Sequence, residues 1–178
     1  MNPNSPLPPG LAIGAVVSDV DGVLTDGSVG ISASGHKFRT FHVHDGMGVK
    51  LLAAAGIRVA WLSSSQDDGV IRARAASLGV NAVDVADGDK GARLRRLCEA
   101  IGVPTTAVLY IGDDVNDLPA IHLAACSVCP ADARPEVRAA VTHVLKSPGG
   151  RGAFREAADI VLDHLGAHIP IPPSIELA

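Results

Sequence analysis

Short apolar runs alternate along the chain with longer segments whose apolar residues recur every three or four positions. The first pattern predicts buried strands and the second predicts helices with one buried face. AIGAVVSDV (residues 12–20) is a strand run that ends in acidic residues. SVGIS (28–32) and KFRTFHV (37–43) flank the turn ASGH, which predicts a β-hairpin. DGMGVKLLAAAG (45–56) predicts a helix with Asp45 near its start and Gly56 at its end. Strand IRVAWLSSS (57–65) leads into helix QDDGVIRARAASLG (66–79), and strand VNAVDV (80–85) leads into helix DKGARLRRLCEAIG (89–102). TAVLYIGDD (106–114) is a further apolar strand ending in carboxylates, followed by a helix over 115–125 and a short strand CSVCPA (126–131). RPEVRAA (134–140) starts a helix with Pro135 in its first turn, where the missing N–H costs nothing. THVLK (142–146) is a last short strand, and GGRGAFREAADIVLDHLG (149–166) closes with a helix.

Alternation of this kind predicts an α/β fold, a Rossmann-like doubly wound parallel sheet with helices on both faces. The body spans residues 13–166. Residues 1–12, rich in Pro and Asn, are expected to form a flexible leader, and the Pro-rich tail 167–178 cannot be a regular helix. Ligands of such sheets bind at the carboxyl ends of the strands. Three predicted strands end there in chemically useful residues: Asp19 with Asp21, Ser63, and Asp113 with Asp114.

The bulk numbers narrow the class. At 178 residues with 47% hydrophobic and 19% charged, the chain suits one ordinary domain and excludes a largely disordered one. A net charge of −4 gives no support for nucleic-acid binding. No segment approaches the ~20 apolar residues of a membrane span. The N-terminus does not read as a signal peptide, and three irregularly spaced cysteines make no disulfide framework, so a cytoplasmic setting is expected.

The strand-end residues carry a definite chemistry. Asp19 and Asp21 exit a strand before Gly22, where a tight turn exposes backbone N–H groups that can cradle phosphate oxygens. Asp113, Asp114 and Asp117 in IGDDVND form a second acidic cluster. Crowded carboxylates repel unless a cation intervenes, and Mg²⁺, a hard ion, is the natural one. Asp19 can then attack phosphorus and form an aspartyl-phosphate, with Asp21 as general acid and base. Ser63 can donate to a phosphoryl oxygen and Lys90 can neutralise its charge. Each element also has a plain structural reading. A lone D-x-D is often a polar turn, IGDDVND could be a helix cap, Ser64 and Ser65 could be capping residues, and most lysines are surface charges. The ordered set DVDGV, LSSS, DK and GDDVND is far more specific than its parts.

Those residues resemble the four signatures of the haloacid dehalogenase-like superfamily, over about residues 13–165. More narrowly, DVDGVLTDG, FHVHDGMGVKLL, YIGDDVNDLP and GGRGAFRE are similar to its small cap-less subgroup typified by 3-deoxy-D-manno-octulosonate 8-phosphate phosphatases. The resemblance implies a Mg²⁺-dependent sugar-phosphate phosphatase of lipopolysaccharide or related glycan synthesis. It implies Asp19 as nucleophile, and Asp21 as general acid/base with its carbonyl on the metal. Asp19, Asp21 and Asp113 would bind the metal, with Asp114 and Asp117 supporting. Gly22, Ser63, Ser64 and Lys90 would bind phosphate. It further implies a homotetramer whose hairpins (about 28–43) join, since the stretch from Asp26 to Asp45 has room only for a hairpin and not for a cap domain. His44 and Arg151 then become candidates for substrate contact, the alternative for GGRG being a flexible turn.

The sequence departs from the subgroup in two places. Ser63-Ser64-Ser65 stands where Thr-Gly-Arg is usual, and His44 replaces a common arginine. LSSSQDDGVIRARA is more similar to relatives acting on nine-carbon ulosonate phosphates, so such a 9-phosphate is the alternative substrate. Other classes are a signalling receiver domain, whose accepting Asp would lie mid-chain, a phosphomutase, which would want a larger cap, and a catalytically idle oligomerisation module. Three features are expected to matter less. Cys126 and Cys129 should point to opposite sheet faces. His42 and His44 should share one strand face. RLRRL (93–97) should be a solvated helix face.

Overall fold

The central strands are apolar at nearly every position because helices cover both faces of their sheet. A computed structural model describes residues 5–65 and 69–167. Its sheet comprises β1 (Ala15–Ser18), β4 (Arg58–Ser63), β5 (Ala82–Val85), β6 (Val108–Ile111), β7 (Cys126–Cys129) and β8 (His143–Val144), in the order β5-β4-β1-β6-β7-β8. Every pairing in it is parallel. Successive side chains alternate between two cores. Val16, Val59, Trp61, Leu109 and Ile111 enter one, and Val17, Ala60, Leu62, Val108 and Tyr110 enter the other. β1 lies between β4 and β6, so the chain winds away from it in both directions, which opens a crevice at its carboxyl end. Ser18 pairs with Trp61 and with Ile111, so Asp19, Ser63 and Asp113 leave the sheet at one edge.

Helices α1 (Val43–Ala54) and α6 (Ala153–Leu165) pack together on one face, with α2 (Gly69–Leu78) beside them. Helices α3 (Lys90–Ile101), α4 (Leu118–Ile121) and α5 (Pro135–Ala140) cover the other. α3 begins where it does because the Asp89 carboxylate accepts from Ala92 N–H at 2.7 Å, and it ends at Gly102 in the left-handed conformation. α6 starts on Gly152, which has no side chain to cap it. The buried Asp45 of α1 does this from a distance, accepting from Gly152 N–H at 3.3 Å and Arg155 N–H at 2.9 Å. Among the described residues, no helix is long and apolar enough to cross a membrane.

The structure corrects several expected elements. The hairpin strands shrink to β2 (Gly30–Ile31) and β3 (Lys37–Phe38), antiparallel to one another. α1 begins at Val43, so His42 and His44 do not share a strand face. His42 caps the helix by accepting from His44 N–H at 3.3 Å, and the two imidazoles meet edge to face at 4.7 Å. The β-branched, aromatic reading of FHV loses to tertiary packing. Gly48 lets α1 approach α6 so closely that a Cβ there would press on Arg155, Phe154 and Ala158. The 115–125 helix reduces to a 3₁₀ turn at Val115–Asp117 followed by α4. The leader is not loose where it is described: Leu7 is buried, and the buried His164 ring meets Ser5 Oγ at 3.2 Å and the Leu11 carbonyl at 2.9 Å. The start of that leader (1–4), the onset of the 66–79 helix (66–68) and the tail from 168 lie outside the described residues.

Asp45→Ala should leave the first turn of α6 without an acceptor and cost about 2 kcal/mol. Urea denaturation checks this, and an unchanged midpoint would refute the long-range cap.

Candidate active site

Asp19 follows β1 and is fixed on three sides. Its backbone N–H donates to Ile111 O at 2.9 Å, Oδ1 accepts from Val20 N–H at 2.7 Å, and Oδ2 lies 2.7 Å from Lys90 Nζ. Lys90, the first residue of α3, is itself buried and also meets Asp117 Oδ1 at 2.6 Å. Asp117 is wholly buried. It accepts from Tyr110 Oη at 2.6 Å and, through Oδ2, from the N–H groups of Asp113 at 3.0 Å and Asp114 at 3.2 Å. One carboxylate therefore shapes the loop after β6 and holds the lysine that reaches Asp19. Gly22 sits at φ 88°, and a Cβ there would run into the Asp113 carboxylate, so only glycine fits this turn.

Burial and crowding set the proton affinities. Burial pushes Asp19 up to about 7, and Asp117 adds to this against the pull of Lys90. Burial likewise raises Asp113 to about 8, with Asp19 and Asp117 pushing the same way. Burial opposes the charge of Lys90, but its two carboxylates outweigh that and raise its pKa.

The predicted residues converge on one cavity of about 550 Å³ lined by Asp19, Asp21, Gly22, Ser63, Ser64, Asp113 and Asp114. Lys90 and Asp117 stand directly behind Asp19. Two further arginines complete the site. Arg93 is buried and not part of a solvated helix face. It donates to Ser63 O at 2.8 Å and pairs with Asp84 at 3.1 Å, tying the serine loop to β5. Arg95 and Arg96 are the solvated members of RLRRL. The signal was the spacing of Lys90, Arg93, Leu94 and Leu97, a single stripe facing the sheet. Arg39, after β3, makes a two-pronged contact with Asp21, Nε to Oδ1 at 2.7 Å and Nη2 to Oδ2 at 3.1 Å. Nothing local in KFRTF marks that contact.

His44 and Arg151 do not reach this cavity in their own chain. Both are exposed and line a second groove of about 500 Å³ beside α6. The GGRG segment is no flexible turn: Gly149 N–H donates to Asp132 Oδ1 at 2.9 Å and Gly150 N–H to Val23 O at 2.9 Å. Cys126 and Cys129 enter opposite cores, as strand geometry requires. Burial pushes their thiols up to about 12 and about 11, which keeps them unreactive.

Comparison with known proteins places this geometry. A family model described as haloacid dehalogenase-like hydrolase matches residues 68–153. The 3-deoxy-D-manno-octulosonate 8-phosphate phosphatase of Haemophilus influenzae is 43% identical over 151 residues, covering 85% of this chain and 83% of that one. The chain belongs to the haloacid dehalogenase-like hydrolases. The cobalt-bound structure of that Haemophilus phosphatase superposes with a TM-score of 0.83 at 43% identity, covering 86% of this chain and 90% of the other. The Moraxella catarrhalis 3-deoxy-D-manno-octulosonate 8-phosphate phosphatase, solved with magnesium, phosphate and the octulosonate sugar, gives 0.81 at 31% identity, covering 85% and 87%. Membership in this family removes the receiver-domain reading.

The residues present fit the family's magnesium. Carboxylate oxygens of Asp19, Asp113 and Asp117 lie within 4.8 Å of one another. Asp113 Oδ1 is buried with no hydrogen-bond partner, a vacancy in its bonding that a hard cation satisfies. Asp117 is wholly buried behind the cavity wall, whereas Asp19 and Asp113 line the cavity, so these two are the carboxylates an ion there can reach.

Protons and the ion compete for those two carboxylates. Apparent Mg²⁺ affinity should therefore rise as pH rises through about 7 and about 8, by about tenfold per pH unit for each proton displaced. Without the ion, the folded state keeps protons that the unfolded chain has lost above about pH 4, so stability should fall as pH rises through that window. Titration calorimetry in two buffers checks the first statement, and pH-independent binding would refute it. Thermal melts with and without Mg²⁺ check the second.

Proposed function

We propose that this chain hydrolyses 3-deoxy-D-manno-octulosonate 8-phosphate to the free sugar acid and inorganic phosphate. The chain is a Mg²⁺-dependent phosphoric monoester hydrolase. The observation that carries the reading is the grouping of Asp19, Lys90 and the bond-deficient Asp113 at one sheet edge, in a chain 43% identical to a phosphatase of that name. Asp19 attacks phosphorus and forms the aspartyl-phosphate. Asp21 gives a proton to the leaving sugar oxygen and then takes one from the water that cleaves the intermediate. Lys90 and the Ser63–Ser64 loop hold the phosphoryl oxygens, with the Gly22 turn beneath them. Asp19, Asp113 and the Asp21 carbonyl would hold the Mg²⁺, with Asp114 and Asp117 supporting the loop. The ion, when bound, offsets negative charge on the phosphoryl group.

A nine-carbon ulosonate 9-phosphate is the second reading, favoured by Ser65 and His44 in positions that usually carry arginine. The phosphoryl chemistry is the same for both. Buried, unpaired Cys98, Cys126 and Cys129 suit a reducing, cytoplasmic setting.

We further propose a homotetramer in which hairpins of different copies pair. The hairpin is too short to stand alone, and Val29, Ile31 and Phe38 on it are exposed, as are Val43 and Met47 of α1. In that assembly the exposed His44 and Arg151 are the residues with which one copy can reach a neighbour's sugar.

Two experiments test these readings. With Mg²⁺, the wild type should release phosphate from an eight- or nine-carbon ulosonate phosphate, and Asp19→Asn should lower kcat by about 10³-fold or more. Normal turnover in that variant would remove the aspartyl-phosphate route, and no turnover of any sugar phosphate by the wild type would favour the idle oligomerisation module. By sedimentation, the wild type should run as four chains and Ile31→Asp as one. A single-chain wild type would end the tetramer reading.

A further inference from the structure

The catalytic cavity is lined by four carboxylates, Asp19, Asp21, Asp113 and Asp114, and by two cationic side chains, Lys37 and Arg39. Both cations come from one short piece of chain, β3 and the residue after it, two positions apart. In extended backbone that spacing puts them on one face. They differ in burial. Lys37 is exposed at the rim, whereas the Arg39 side chain is 3% exposed.

The hydrogen bonding of Arg39 is incomplete. Nε and Nη2 hold Asp21, and Nη2 also donates to Ser65 Oγ at 2.7 Å. Nη1 is buried and has no protein acceptor. An unpaired buried guanidinium N–H is costly, because it has given up water and received nothing in return. Asp21 and Ser65 hold its fork at the wall of the cavity.

We propose that Arg39, with Lys37 outside it, receives the second anionic group of the substrate, the carboxylate of a sugar acid. This rests on the sugar-acid phosphate reading above. Such a substrate is negative at both ends. Its phosphate is served by Lys90 and the metal carboxylates. Its other end must sit in a cavity whose remaining charge is carboxylate, where like charges repel. Arg39 and Lys37 are the lining groups that reverse that repulsion. A sugar phosphate without a carboxylate leaves Nη1 unpaired and forfeits the contact, so the pair selects substrate by charge.

The test uses the full chain with Mg²⁺ and compares wild type, Arg39→Ala, Arg39→Lys and Lys37→Ala on an ulosonate phosphate and on arabinose 5-phosphate, with kcat and KM measured separately. Arg39→Ala should raise KM for the sugar acid phosphate by about tenfold or more and for arabinose 5-phosphate by less than about twofold. The loss in kcat should be similar on both, since Asp21 loses its partner in either case. Arg39→Lys, which keeps the charge, should recover part of the KM. Lys37→Ala, at an exposed position, should show the same substrate dependence at about threefold, and it reads the selectivity even where Arg39→Ala does not fold. Equal KM changes on the two substrates, or none, would overturn the assignment while leaving the phosphatase reading intact. A wild type that turns over neither substrate would overturn both.

Discussion

A buried ammonium between two buried carboxylates organises the catalytic end of this molecule. Lys90 is 1% exposed, and among the described residues Asp19 on one side and Asp117 on the other compensate its lost hydration. That demand reaches far along the chain. Lys90 must open α3, so Asp89 caps the helix there. Asp117 must reach back beneath the β6 exit, so the segment after Gly112 turns tightly and gives its N–H groups to the same carboxylate. Asp113 is then left beside Asp19 with one oxygen unpaired. The cation that such a pair requires is a consequence of how Lys90 is solvated by protein.

The strand ends explain why so much of this was legible in the sequence. A parallel sheet buried on both faces gives continuous apolar runs, and any polar residue that ends such a run must lie at the sheet edge. Asp19, Ser63 and Asp113 were visible for that reason, and Lys90 because a capped helix starts on it. Arg39 was not, and for Arg93 the helix stripe marks burial but not a partner. Their partners, Asp21 and Asp84, lie 18 and 9 residues away, and only the folded chain brings them together. Local pattern also failed at FHVHDG. Strand propensity there was outweighed by the close contact of α1 with α6 and by the use of Asp45 to cap a helix more than a hundred residues later. The leader followed the same logic. Its prolines read as a flexible leader, but Leu7 has a core to enter and the buried His164 needs Leu11 O as an acceptor.

The hairpin joins these threads. Viewed from outside it is an apolar liability, with Ile31 66% and Phe38 58% exposed on a pair of two-residue strands. Such a pair has little stability of its own. Yet the side chain of the residue that follows its second strand, Arg39, is almost fully buried and holds the carboxylate of Asp21 through two hydrogen bonds. Whatever orders the hairpin therefore also orders Asp21. A cap domain would shield the site by covering it. Here a few residues do so, and in the proposed assembly the same apolar surface of another copy would support their outer face. In the proposed assembly, one side chain would link the interface to the proposed acid/base Asp21, with Ile31 and Phe38 on the outside and Arg39 on the inside.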